Sequence, residues 1–170
     1  MIKNLNFLFV TLFGIGKIKF ASGTFASLVT VILLYFLFYF SNLTNYSILL
    51  LFFVIFILSF YAVSVYIKFN PNKDPKEVVV DEVIGQFIPI YFFETSQLII
   101  KTPNETILYY LYIFLLFRFF DITKPFPANY FDNKLKNSFG VILDDVVAGI
   151  YVVITLFVFI MIKSKKDIII

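Results

Sequence analysis

Cysteine, histidine and tryptophan are all missing from this chain of 170 residues. Without cysteine there is no disulfide, no thiolate metal site and no thiol nucleophile. Without histidine there is no Ser-His-Asp relay, no phosphohistidine intermediate and no imidazole ligand. Charge is scarce too. Fourteen Lys and Arg against eleven Asp and Glu leave a net charge of +3, too little to mark nucleic acid as a partner. What remains for chemistry is Asp, Glu, Lys, Arg, Ser, Thr, Tyr and the backbone. Oxygen donors on their own suit hard cations such as Mg2+.

Apolar residues fill the space that charge leaves. They make up 61% of the chain, aromatics alone 21%, including 25 Phe and 11 Tyr. Mean hydropathy is +0.93, whereas soluble domains hold about 45–50% apolar residues even with Gly counted. The composition predicts an all-α, polytopic membrane bundle of four to five transmembrane helices, a single domain over 1–170 with the lipid bilayer as its solvent. Phe25–Phe40, extended by Gly23 and Thr24, is long enough to span. Ser41–Asn45 is a short polar turn, and Tyr46–Ile67 is the clearest uncharged run. After a polar loop, Lys68–Lys73, the stretch Asp74-Pro75-Lys76-Glu77 reads as a helix start, with Asp as N-cap and Pro at the first helical position. That helix is expected to reach about Phe93, bent at Pro89. Thr102-Pro103-Asn104-Glu105 repeats the capping pattern before a helix to about Phe120. A polar loop, Lys124–Gly140, precedes the last helix, Val141–Ile162, and a tail from Lys163 to Ile170. At the N-terminus Phe7–Phe13 is short for a signal sequence and reads as a retained, interfacial, amphipathic segment.

Lys3, Lys17 and Lys19 favour a cytoplasmic N-terminus. Five crossings then bring segments 68–82 and 118–140 to the same cytoplasmic face and send 41–45 and 94–105 outside. The tail lysines, Lys163, Lys165 and Lys166, break the charge rule unless segment 75–93 stops short of crossing.

Three groups of ionisable residues stand out: Asp81-Glu82, then Arg118, Asp121 and Lys124, then Asp144-Asp145 at the start of an apolar run. One such group near the bilayer centre costs about 2.5–3.5 kcal/mol on insertion scales, so a chain that keeps several must neutralise them, bind metal with them or wet them. Asp81 shares a helix face with Gly85, Glu82 with Gln86, Asp144 with Ala148 and Asp145 with Gly149. Small residues one turn from an acid admit another backbone or a ligand. Together the groups predict a divalent-cation and phosphate site, the acids holding Mg2+ and Arg118 and Lys124 binding phosphate oxygens. A plainer reading takes charges at helix ends as snorkelling or paired with neighbours. It fits Asp74, Glu77 and Glu105 as caps, and Asp132, Lys134, Lys136 and the tail lysines as solvated loop charges. Gly14-Ile15-Gly16 and Gly23-Thr24 match neither a P-loop nor a dinucleotide fingerprint. A cation-coupled transporter using intramembrane carboxylates is the non-enzymatic alternative, but it expects acids nearer mid-membrane and inverted repeats.

Four stretches resemble one family in order. They are Gly23-Thr24-Phe25-Ala26-Ser27; Asp74-Pro75 followed by Val80-Asp81-Glu82-Val83-Ile84-Gly85-Gln86; Phe117-Arg118-Phe119-Phe120-Asp121-Ile122-Thr123-Lys124-Pro125-Phe126-Pro127; and Gly140-Val141-Ile142-Leu143-Asp144-Asp145-Val146-Val147-Ala148-Gly149. The chain is similar over nearly its whole length to the phosphatidylglycerophosphatase A family, small bacterial membrane phosphatases. Ser22 and Ala26 depart from the Pro and Gly common there. The resemblance implies a Mg2+-dependent phosphomonoesterase of the bacterial inner (cytoplasmic) membrane, acting on phosphatidylglycerophosphate from the cytoplasmic side. It implies Asp81, Glu82, Asp121, Asp144 and Asp145 as metal ligands or base, with Arg118 and Lys124 clamping the phosphoryl group. Direct attack by water and an aspartyl-phosphate intermediate both stay open. A CDP-alcohol transferase is the neighbouring enzyme class, but its Asp-Gly-x-x-Ala-Arg signature is absent.

Overall fold

The structure is a computed structural model. It describes residues 2–69, 76–96, 102–135 and 137–168, with side chains for all of these except 2, 3, 103, 104 and 163–168. The described residues form seven α-helices and no strand: α1 (Ile2–Val10), α2 (Ser22–Phe40), α3 (Asn45–Phe69), α4 (Val80–Thr95), α5 (Pro103–Thr123), α6 (Ala128–Lys134) and α7 (Ser138–Ile168), with a 3-10 turn at Ile15–Lys17. Within α2, α3, α5 and α7 lie four stretches long and apolar enough to cross a membrane. Their outer faces carry large apolar side chains. On α3, Leu50, Phe53, Ile57 and Tyr61 recur at helical spacing and are all exposed, a stripe suited to acyl chains. The opposite face of α3 turns Ser59, Ala62, Val63 and Tyr66 inward.

The centre of the bundle is α4. It has 16 residues, about 24 Å at 1.5 Å per residue, short for a spanning helix. Yet Ile84, Gln86, Phe87, Ile90 and Phe93 are all buried, and its two ends reach opposite ends of the bundle. At one end Glu82 lies against Gly23 of α2. At the other, Glu94 accepts hydrogen bonds from Tyr39 of α2 (3.1 Å) and Tyr110 of α5 (2.9 Å). So α4 runs the length of the bundle, sheathed by α2, α5 and α7.

Helix boundaries differ from expectation in three places. The start near Pro75 is not where α4 begins: Lys76 and Glu77 form a turn, Val78 and Val79 are non-helical, and the helix opens at Val80. Long-range bonds override the local capping pattern here. The Val79 N–H donates to the Val10 carbonyl (2.9 Å), and the Tyr66 hydroxyl donates to Glu77 (2.7 Å). Glu77 is therefore a tether between α3 and this turn, while Asp74 and Pro75 lie outside the described residues. The 124–140 segment is not all loop, because it contains α6. The last helix runs from Ser138 to Ile168, absorbing both the end of that loop and much of the tail. The second capping sequence is borne out: Thr102 accepts from the Glu105 N–H (3.4 Å) and its hydroxyl donates to the Glu105 carboxylate (2.7 Å).

The seam between α4 and α7 is made of backbone. A Cβ on Gly85 would come within 2.6 Å of the Asp145 carbonyl oxygen and of the Phe117 ring, and one on Gly149 would collide with the Gly85 carbonyl oxygen. Pro89 explains part of this. Having no N–H, it leaves the Gly85 carbonyl without its partner one turn on, and that carbonyl faces Gly149. Gly85→Ala is expected to lower the unfolding free energy in mild detergent by about 1–3 kcal/mol, the usual cost of overpacking. An unchanged denaturation midpoint would show that the seam is looser than its geometry.

Candidate active site

The close seam fixes the register of the two acidic pairs. Asp81 and Glu82 occupy the first turn of α4. Asp145 sits on α7 one turn before Gly149. Because Gly85 abuts the Asp145 backbone, the carboxylates on either side converge: one oxygen each from Asp81, Glu82 and Asp145 lie within 4.8 Å of one another. Asp144 and Asp145 are buried, 6% and 3% exposed. Each pair is braced alike, with the first Asp accepting from the next backbone N–H at 3.1 Å, in Asp81–Glu82 and in Asp144–Asp145.

Cations flank the acids from α5. Arg118 pairs with Asp121 at 2.5 Å, three residues on along the helix. The helix ends at Thr123, and Lys124 takes a left-handed conformation (φ 42°) as its C-cap. A non-glycine residue there carries local strain, held by its ion pairs. The turn aims the ammonium at Asp144 (2.6 Å) and at Asp132 of α6 (2.8 Å). Burial alone would lower the Lys124 pKa, but the hydrogen bonds it donates to Asp132 and Asp144 prevail and hold it above the ordinary lysine value. It stays an ammonium at any physiological pH.

A cavity of about 520 Å³ opens over this cluster, lined by Asp81, Glu82, Arg118, Asp121, Lys124 and Asp144 among others. Two atoms at its base have no hydrogen-bond partner although buried, Glu82 Oε2 and Arg118 Nε. An unpaired carboxylate oxygen and an unpaired guanidinium N–H in one place are costly unless a ligand completes them. Gly23 gives the ligand access, since a Cβ there would meet the Glu82 carboxylate and lie 3.2 Å from Arg118 Nη1.

All seven residues singled out from the sequence thus meet at one end of the bundle. One participant was missed. Asp132, read as a solvated loop charge, orients Lys124; only the existence of α6, invisible in a short polar stretch, brings it there. Lys134, by contrast, is exposed as expected.

The chain is similar to known proteins over most of its length. A family model for phosphatidylglycerophosphatase A matches residues 8–160. The chain is 39% identical over 146 residues to a phosphatidylglycerophosphatase A of Haemophilus influenzae, covering 85% of this chain and 82% of that protein. It is 35% identical over 146 residues to a Bacteroides thetaiotaomicron protein provisionally named a phosphatidylinositol-3-phosphatase, covering 82% and 83%. A phosphatidylglycerophosphatase A of Escherichia coli is 30% identical over 77 residues, 45% of this chain and 40% of that one. No solved structure matches.

Proposed function

We infer the reaction from a premise of kinship: the chain belongs to the phosphatidylglycerophosphatase A family. It is a membrane phosphatase that removes the terminal phosphate of phosphatidylglycerophosphate, leaving phosphatidylglycerol and inorganic phosphate. The observation that carries the chemistry is the convergence of Asp81, Glu82 and Asp145, the first two of which line a cavity together with Arg118 and Lys124.

The donor set fits a hard divalent cation, because every candidate ligand is a carboxylate and one of them, Glu82, has an unpartnered buried oxygen. Asp81, Glu82 and Asp145 would hold it. Bound there, Mg2+ would supply Lewis-acid polarisation of the phosphoryl group. Asp121 and Asp144 are engaged by Arg118 and Lys124, so their part is to orient those cations toward the phosphoryl oxygens. Arg118, braced by Asp121, keeps its Nε free for a second donor contact. Lys124 presents a fixed positive charge where negative charge builds on the leaving and equatorial oxygens. The depth of the acids excludes bulk water from all but the cavity side.

The deciding assay uses purified protein in neutral detergent with Mg2+ and phosphatidylglycerophosphate, phosphate release being measured. Phosphatidylinositol 3-phosphate is run in parallel, since one relative carries that name. A preference for the inositol lipid would overturn the assigned substrate.

The active end faces the cytoplasm of a bacterial inner membrane in this reading, supported by Lys17 and Lys19 at that end. A lone cysteine at Asn137, beside the site, should resist an impermeant thiol reagent in intact cells and react after lysis. One at Asn42, in the turn at the far end, should react in intact cells. The opposite labelling pattern would reverse the orientation.

A further inference from the structure

Five cations line the active cavity, and the mechanism uses only two of them. Lys17, Lys19 and Lys76 lie on the wall formed by the segment before α2 and the turn before α4. Arg118 and Lys124 are neutralised by acids. Among the described residues, no carboxylate lies within ion-pair range of the other three. The wall carrying them is built rather than loose. Gly16 is pressed against the Glu77 backbone so closely that a Cβ would collide with its carbonyl. The Ser22 hydroxyl donates to the Lys76 carbonyl (3.1 Å), and the Val79 N–H to the Val10 carbonyl (2.9 Å). Lys17 is further steadied with its ammonium 4.6 Å from the centre of the Phe7 ring. The glycine-rich segment that fits no nucleotide motif therefore has a use: it folds two chain segments into one basic wall beside an acidic floor.

The substrate has two phosphates of different character. The terminal monoester must reach Arg118 and Lys124 for hydrolysis. The phosphodiester that joins glycerol to the lipid stays behind, one glycerol length away and singly charged. We propose that Lys17, Lys19 and Lys76 form a second anion subsite that binds this phosphodiester and so fixes the headgroup in line with the acids. The proposal rests on the assigned reaction and deepens it. It also gives the site a way to tell a lipid diester carrying a terminal phosphate from a simple phosphomonoester. After hydrolysis the same wall still holds the product lipid, whereas inorganic phosphate contacts only the inner cations.

The two products separate the two subsites. In mixed micelles of uncharged detergent, where attraction to an anionic surface plays no part, the Lys17→Ala/Lys19→Ala/Lys76→Ala variant is expected to raise KM for phosphatidylglycerophosphate about tenfold, three exposed charge contacts being lost, with kcat nearly unchanged. Inhibition by phosphatidylglycerol, which carries the diester alone, should weaken by a similar factor. Inhibition by inorganic phosphate should not change. The corresponding triple Lys→Arg variant should keep the wild-type KM, which separates loss of charge from loss of fold. An unchanged KM in the alanine variant, or equal weakening of inhibition by both products, would overturn the diester subsite. A wild-type protein that releases no phosphate from phosphatidylglycerophosphate would instead overturn the assigned reaction.

Discussion

Asp145→Asn is expected to reduce phosphate release by at least about a thousandfold, the scale set by losing a group that stabilises transition-state charge. The substitution keeps the shape of the side chain, removes its charge and exchanges one acceptor oxygen for an NH2 donor. Asp145 is 3% exposed and shares its small space with Asp81 and Glu82, so ionising all three is costly when no cation is present. Removing one carboxylate relieves that cost. The metal-free variant should therefore unfold at the same temperature as the wild type or higher, while its activity collapses. This opposite movement of stability and activity marks a residue kept for chemistry. Asp132→Asn makes the contrast, for it touches Lys124 and not the three-carboxylate group; its loss should be far smaller. Retention of activity within a few-fold by Asp145→Asn would remove that residue from the catalytic set.

Stripping divalent cations should abolish activity, and Mg2+ should restore it. Activity alone is a weak test, because a chelator can also disturb substrate presentation. Thermal unfolding gives a second readout. A ligand that binds only the folded state stabilises it by about 2.7 kcal/mol at a hundred times its dissociation constant, so Mg2+ should raise the midpoint of the wild type. It should raise that of Asp145→Asn much less. Full activity after verified metal removal, or equal stabilisation of both proteins by Mg2+, would exclude the three carboxylates as the cation's seat.

Much of this arrangement could be read from residue order, for identifiable reasons. Long uncharged runs have one stable solution in lipid, a helix with its backbone bonds satisfied internally, so α2, α3 and α5 were legible to within a few residues, and α7 at its start. The seven charged residues were legible because burying them is costly without a purpose. What escaped were features set by tertiary contact. The start of α4 is displaced from Pro75 to Val80 because Val79 bonds to Val10 and Tyr66 to Glu77, partners far away in sequence. Asp132 looked solvated because α6 has only seven residues, mostly polar, too few to show a period. Lys124 does not continue the helix that carries Arg118 and Asp121. It instead leaves that helix in a left-handed turn, and so reaches two acids that straight geometry would have denied it.

The contact of Gly85 with Asp145, and of Gly149 with Gly85, has an evolutionary consequence. The spacing of the acids is set where two backbones touch, and no side-chain repacking elsewhere can restore it once a methyl group enters. The outward faces obey a looser rule: Leu50, Phe53 and Ile57 need only be greasy. Such a molecule can drift freely over its lipid-facing surface, adapting to membranes of different thickness or fluidity, while a narrow seam stays closed to change. Distant descendants should be recognisable by a few small residues flanking the acids long after the rest of the sequence has been rewritten.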